Sequence, residues 1–179
     1  MIYNMPAKII LETERLILRE MNKNDYNALC RMLQDKEVMY AYEHAFSDKE
    51  AMEWLERQLC RYKQYGFGLW AVILKANGEL IGLCGLTMQP CGEREVLEVG
   101  YIFCKEYWKN GYATEAAVAC KKYAFDKLNS DCVYSIIRDN NVPSQKVAIR
   151  NGMTVTEKFV KHYYGMDMPH FVYSVKRDK

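Results

Sequence analysis

No apolar run in this 179-residue chain approaches the ~20 residues that a membrane-spanning helix requires, so no helical span is expected. Met1 to Glu14 has neither the apolar h-region nor the small-residue cleavage site of a secretory leader, which makes the cytoplasm the expected compartment. Charge is not clustered either. Twenty-five Lys and Arg stand against 23 Asp and Glu, for a formal net charge of +2, and they are scattered, so no basic face for nucleic acid is visible. Seven cysteines (Cys30, Cys60, Cys84, Cys91, Cys104, Cys120 and Cys132) form no CxxC pair and no Cys/His group at zinc spacing. Reduced, mostly buried thiols are therefore expected, with no disulfide framework and no metal site. The three histidines (His44, His162 and His170) lack ligand spacing as well. Linkers, repeats and low-complexity stretches are missing, and the length suits one domain with a proper core.

What is present is a clear succession of patterned segments. Arg15 to Glu20 alternates polar and apolar residues and reads as the first strand. Asn22, with Asp25 three residues on, opens a helix whose apolar positions are Tyr26, Leu29, Cys30 and Leu33. Ser47 with Glu50 makes a capping box for a second helix, which stops at Gly66. Leu69 to Leu74 and Leu80 to Met88 are β-rich and are joined by Asn77-Gly78, a strong hairpin signal. Gln89 to Arg94, containing Pro90 and Gly92, reads as a loop, and Val96 to Phe103 as a further strand. A long helix is expected over Tyr112 to Leu128, a short strand over Val133 to Ile137, and a short helix over Pro143 to Asn151, with Pro143 in its first turn. Two final strands, Thr154 to Lys161 and Phe171 to Lys176, are split by a Gly165/Pro169 turn region. The fold class is α+β.

The most informative segment is Tyr107 to Ala116, YWKNGYATEA. It joins a buried strand to a helix and places Gly111 and Ala113 at the first turn. A helix N-terminus carries unpaired N–H groups and partial positive charge, and small residues there let a phosphate approach the backbone. Ala113, Ala116, Ala117, Cys120 and Ala124 form a small-residue face that lets the helix lie close on a sheet. No Gly-Lys-Ser/Thr follows, so the turn is not a P-loop, and the second glycine of a dinucleotide fingerprint is missing. Taken alone, the glycine is equally compatible with a plain helix start and the alanines with plain packing.

The same ten residues resemble the acyl-CoA pyrophosphate loop of the GNAT superfamily of N-acetyltransferases, nearest to its ribosomal-protein N-terminal acetyltransferase branch. Leu11 to Glu20 is similar to that branch's first strand, and Leu97 to Phe103 to its fourth. Asn141 to Ser144, Val147 and Arg150 to Met153 are similar to its asparagine-x-x-serine helix. The likeness runs in one order over roughly residues 11 to 177. It implies a single N-acetyltransferase domain over 1–179, with a mixed, mostly antiparallel sheet of six to seven strands flanked by about four helices.

The resemblance also implies roles. Backbone N–H groups of Asn110, Gly111, Tyr112, Ala113 and Thr114 would hold the pyrophosphate of acetyl-CoA, with Lys109 adding positive charge. The backbone of Val99, Gly100 and Tyr101 would lie along the pantetheine arm, and Asn141 would help hold the cofactor. Glu98 would accept the proton of an attacking amine, through a water. Trp108 stands where the superfamily usually has Gln or Arg, so a side-chain phosphate contact is lost. Ala148 stands where many members have a tyrosine that protonates the CoA sulfur, which leaves Ser144 as substitute donor and cofactor contact, or as a simple helix cap. Met39 to Phe46 would line the acceptor side, with Glu43 attracting a cation, and Tyr163 and Tyr164 could reach the cleft. The expected activity is direct acetyl transfer from acetyl-CoA to a primary amine, either a protein N-terminus or a small molecule. No metal, nucleic acid or membrane is expected to take part, and the protein is expected to be a monomer or homodimer. A non-catalytic acyl-CoA sensor is the alternative.

Overall fold

The computed structural model describes residues 7–42, 44–163 and 165–178. Alternating apolar residues build strands β1 Ile9–Glu12, β2 Leu16–Arg19, β3 Leu69–Leu74, β4 Glu79–Cys91, β5 Arg94–Phe103, β6 Cys132–Arg138, β7 Thr154–Tyr163 and β8 Met166–Lys176. They form one eight-stranded sheet in the order β1-β2-β3-β4-β5-β6-β8-β7. All neighbours are antiparallel except β5 and β6, which run parallel. Helices α1 Tyr26–Leu33 and α2 Asp48–Tyr65 pack on one face, around Leu29, Leu33, Leu55, Ala71 and Leu83. Helices α3 Tyr112–Lys127 and α4 Val142–Arg150 cover the other, around Trp70, Leu86, Val99, Ala117 and Ala148.

The capping residues act as their chemistry dictates. The Asn22 side chain accepts from Asn24 N at 2.8 Å and Asp25 accepts from Asn22 N at 2.9 Å, closing a 3-10 turn at Lys23–Asp25 that runs into α1. Asp25 is also gripped by the Arg19 guanidinium through bonds of 2.8 and 2.7 Å, which ties β2 to that turn. Ser47 and Glu50 close the α2 capping box, and Gly66 ends the helix in the left-handed conformation that a side chain would strain.

Three expectations need correction. The sheet has eight strands, one more than the upper expectation, and β1 is a short edge strand not read from the sequence. Gln89 to Arg94 is not a loop, because β4 continues through Pro90 to pair Cys91 with Arg94, leaving only Gly92 and Glu93 to turn. The Leu86 N–H points to Gly68 O on the β3 side. By alternation the missing N–H of Pro90 falls on that same side, where β3 has already ended at Leu69 opposite Gly85. Pro169 likewise lies inside β8, opposite Val160 of β7, and its carbonyl accepts from Asp139 N just past the end of β6. Its lack of an N–H therefore interrupts no ladder.

Gly85 sits where the backbone of Gly68 crosses β4. A Cβ there would lie 2.1 Å from Gly68 O, whereas one at Gly100 meets only the flexible Leu69 side chain at 3.5 Å. Gly85→Ala is accordingly expected to destabilise by about 2–3 kcal/mol, and Gly100→Ala by under about 1 kcal/mol. Urea denaturation of both variants checks this ranking, and equal losses would refute it.

Candidate active site

The site lies where β5 leaves its parallel neighbour. Among the described residues β5 and β6 share a single registered pair, Glu98 with Tyr134. Past it, side chains take over the work of the ladder. Ser135 Oγ donates to Val99 O at 2.8 Å, and Ile136 N donates to Glu98 Oε1 at 3.1 Å. Val99 thus directs its backbone groups toward β6, and by strand alternation so does Tyr101, while those of Gly100 face β4. The Tyr101 phenol bridges to α4 by donating to Ser144 O at 2.8 Å, and burial raises its pKa.

Just beyond the end of β5, a 3-10 turn at Lys105–Tyr107 leads into α3. Trp108 Nε1 donates to Phe103 O at 2.9 Å, which fixes the indole against the strand end. Lys109 and Gly111 both adopt positive φ, 63° and 81°, and Gly111 is the N-cap of α3 with no side-chain cap bond. Among the described residues the N–H groups of Gly111, Tyr112, Ala113 and Thr114 have no protein acceptor, while the Gly111 carbonyl already receives Glu115 N at 3.0 Å. Four aligned, unpaired donors at a helix start favour an anion. The helix is held to the sheet by buried Ala116, Ala117, Cys120 and Ala124, with Cys120 Sγ 3.6 Å from Cys84 Sγ.

Glu98 shares a face with its partner Thr87 and with α1 and α2, opposite the α3 face occupied by Val99. Burial pushes its carboxyl above the ordinary range. The Ile136 N–H, the charges of Lys161 and Arg61, and the Thr87 hydroxyl oppose that push. Arg61 is itself half-buried; burial and neighbouring Arg57 lower its guanidinium pKa, and it donates to buried Gln58 at 3.3 Å. A partly desolvated carboxylate on this face is a candidate proton acceptor.

At the start of α4 the cap is Asn141, whose Oδ1 accepts Ser144 N at 3.2 Å. Asn141 thus fills the capping role, and the Ser144 hydroxyl has no hydrogen-bond partner among the described residues. Asn141 Oδ1 also receives the phenol of Tyr40 at 2.8 Å, which links the α1–α2 connection to α4. Ala148 of α4 is buried in the core on the α3 face of the sheet. Glu43, Tyr164 and the Tyr163 side chain lie outside the described residues. Sequence reasoning did not single out Arg61 or Lys161, each brought in by a distant element without a motif of its own, and it named Tyr40 only within the Met39 to Phe46 segment. No group of three or more His, Cys, Asp or Glu among the described residues is placed to hold a metal ion, and no described helix is long and apolar enough to cross a membrane.

Three likenesses bear on this geometry. The uncharacterized protein YkkB of Bacillus subtilis (strain 168) is 36% identical over 150 residues, covering 83% of this chain and 87% of that one. An acetyltransferase (GNAT family) from Bacillus anthracis has the same fold, with a TM-score of 0.81 at 24% identity over 93% of this chain and 97% of that one. So does RimL, a ribosomal L7/L12 alpha-N-protein acetyltransferase solved in complex with coenzyme A, with a TM-score of 0.77 at 17% identity over 94% of this chain and 98% of that one. The family model for the acetyltransferase (GNAT) domain matches residues 15–154, and the chain belongs to the GNAT acetyltransferase family.

Proposed function

We propose that this protein is a cytoplasmic N-acetyltransferase that carries the acetyl group of acetyl-CoA directly to a primary amine, on a protein N-terminus or a small molecule. The observation that carries the reading is the start of α3, uncapped by any side chain, at the end of the strand that leaves its parallel partner. The N–H groups of Asn110 to Thr114 take the diphosphate, and Lys109 adds charge at the rim. The pantetheine arm runs along Val99, Gly100 and Tyr101 toward Glu98, over the ~17 Å of strand between Phe103 and Glu98. Asn141 steadies the arm from the far side with Nδ2, since its Oδ1 is already engaged. Coenzyme A bound to RimL supports the same donor here.

In the transfer the amine nitrogen bonds to the thioester carbon, its proton passes through a water to Glu98, and the C–S bond breaks. Ser144 stands as donor to the departing thiolate, its hydroxyl being free of the capping role. A sensor that only bound acyl-CoA would share the loop but gain nothing from a carboxylate held partly desolvated between two cations.

In a screen of peptides, polyamines, amino acids and aminoglycosides, acetyl-CoA consumption is expected with at least one amine. Glu98→Gln is then expected to lower kcat by about 10²- to 10⁴-fold while leaving the calorimetric Kd for CoA unchanged. Undiminished turnover would remove Glu98 from the mechanism, and binding without transfer to any amine would favour the sensor. Ser144→Ala should lower kcat by about a hundredfold with little change in KM; a KM effect alone would make Ser144 a binding group.

The raised pKa of Glu98 also has a sign in stability. A carboxyl that is harder to ionise when folded withdraws stability as pH climbs from its ordinary value of 4.5 through its folded value, and the full penalty stands above that. Glu98→Gln is therefore expected to be the more stable protein at neutral pH and to converge with the parent below about pH 4.5. Urea midpoints measured across that range test this, and a gap independent of pH contradicts it.

A further inference from the structure

Arg15 stands just before β2, yet every arm of its guanidinium reaches the start of α3 or the turn before it. Nε donates to Glu115 Oε2 at 2.7 Å, Nη2 pairs with the same oxygen at 2.6 Å, and Nη1 donates to Asn110 O at 3.0 Å. The Arg15 N–H donates to Glu115 Oε1 at 2.9 Å, and Thr13 Oγ1 donates to that oxygen at 2.6 Å. The guanidinium also lies 4.5 Å over the Tyr112 ring. Glu115 matches its charge, and three of its five N–H donors are engaged by Glu115 and Asn110.

Its bond to Asn110 O has a different consequence. In a trans peptide the carbonyl and the following N–H point in opposite directions. Holding Asn110 O toward Arg15 therefore turns the Gly111 N–H outward. Gly111 at φ 81° follows Lys109 at φ 63°, and a glycine beside such a turn lets the intervening peptide rotate with little steric penalty. A rotated peptide would present a carbonyl where the anion needs a donor.

We propose that Arg15 is a positioning residue for the cofactor loop, fixing the Asn110–Gly111 peptide so that its N–H faces the diphosphate. Glu115 and Thr13 hold the guanidinium in place for this task. The proposal rests on the loop reading given above and adds what keeps that loop ready before the cofactor arrives.

The test compares the full-length parent with Arg15→Ala and Arg15→Lys, using CoA and pantetheine, which lacks the diphosphate, as probes. Calorimetry is expected to show Kd for CoA rising about tenfold in Arg15→Ala, with pantetheine binding unchanged. The amide resonance of Gly111, which should move on adding CoA to the parent, is expected to move little in the variant. Arg15→Lys can still reach Asn110 O but cannot fork onto Glu115, so its loss should be smaller and again confined to CoA. That variant carries the test if Arg15→Ala does not fold. Unchanged CoA affinity, or an equal loss with both probes, overturns the proposal. A parent that binds no CoA instead overturns the loop reading itself, and the role of Arg15 with it.

Discussion

A parallel strand pair that joins once and then parts leaves backbone donors and acceptors facing a gap, and buried groups of that kind must find partners. Around that requirement the centre of this molecule is arranged. The Ser135 hydroxyl serves Val99 O, the Glu98 carboxylate serves Ile136 N, and the Tyr101 phenol reaches across to Ser144 O. Each repair uses a side chain in place of the missing strand. Glu98 is thus anchored by the fold through Oε1, which holds a partly desolvated carboxylate in one place. Its neighbours Arg61 and Lys161 come from α2 and β7 and offset the penalty that burial places on its charge.

The two faces of β5 divide the labour. Val99 and Tyr101 lean into the layer beneath α3 and α4, while Glu98 looks toward α1 and α2. Strand period alone therefore puts the side chains of Val99 and Tyr101 on one face of β5 and that of Glu98 on the other. Tyr40 crosses from the α1–α2 connection to Asn141, so the two layers meet again beside the start of α4.

Much of the fold could be read from local chemistry, because caps and turns are local. Asn22 with Asp25, Ser47 with Glu50 and Asn77-Gly78 all mark boundaries that the structure keeps. Two of the errors came from prolines. Pro90 and Pro169 look like breaks in a linear reading, yet each turns its missing N–H just past the end of the neighbouring strand, and only the topology decides that. The turn at Asn110 to Thr114 was legible as a helix start. Its proposed role leans on the family likeness of the whole ten-residue run, since a glycine and alanines there also suit plain packing. Arg15 was not legible. Read locally it is one polar residue in an alternating strand, and its partner Glu115 lies a hundred residues away. Arg61 and Lys161 escaped for the same reason, since long-range charge interactions leave no periodic trace.

The start of α3 carries no side-chain cap. α2 and α4 and the turn before α1 all begin with a side chain that caps them, from Ser47, Asn141 and Asn22. α3 begins with glycine and forgoes a contribution of about 1 kcal/mol. The omission is not made good by loosening the segment: Arg15 and Glu115 grip it on one side, and Tyr107 donates to Glu79 Oε2 at 2.6 Å on the other. A helix start both bare and braced makes sense if its donors are reserved for something outside the chain. A cap such as serine at Gly111 would satisfy one of them internally and strain the positive φ besides, so the position is closed to the residue that local stability favours.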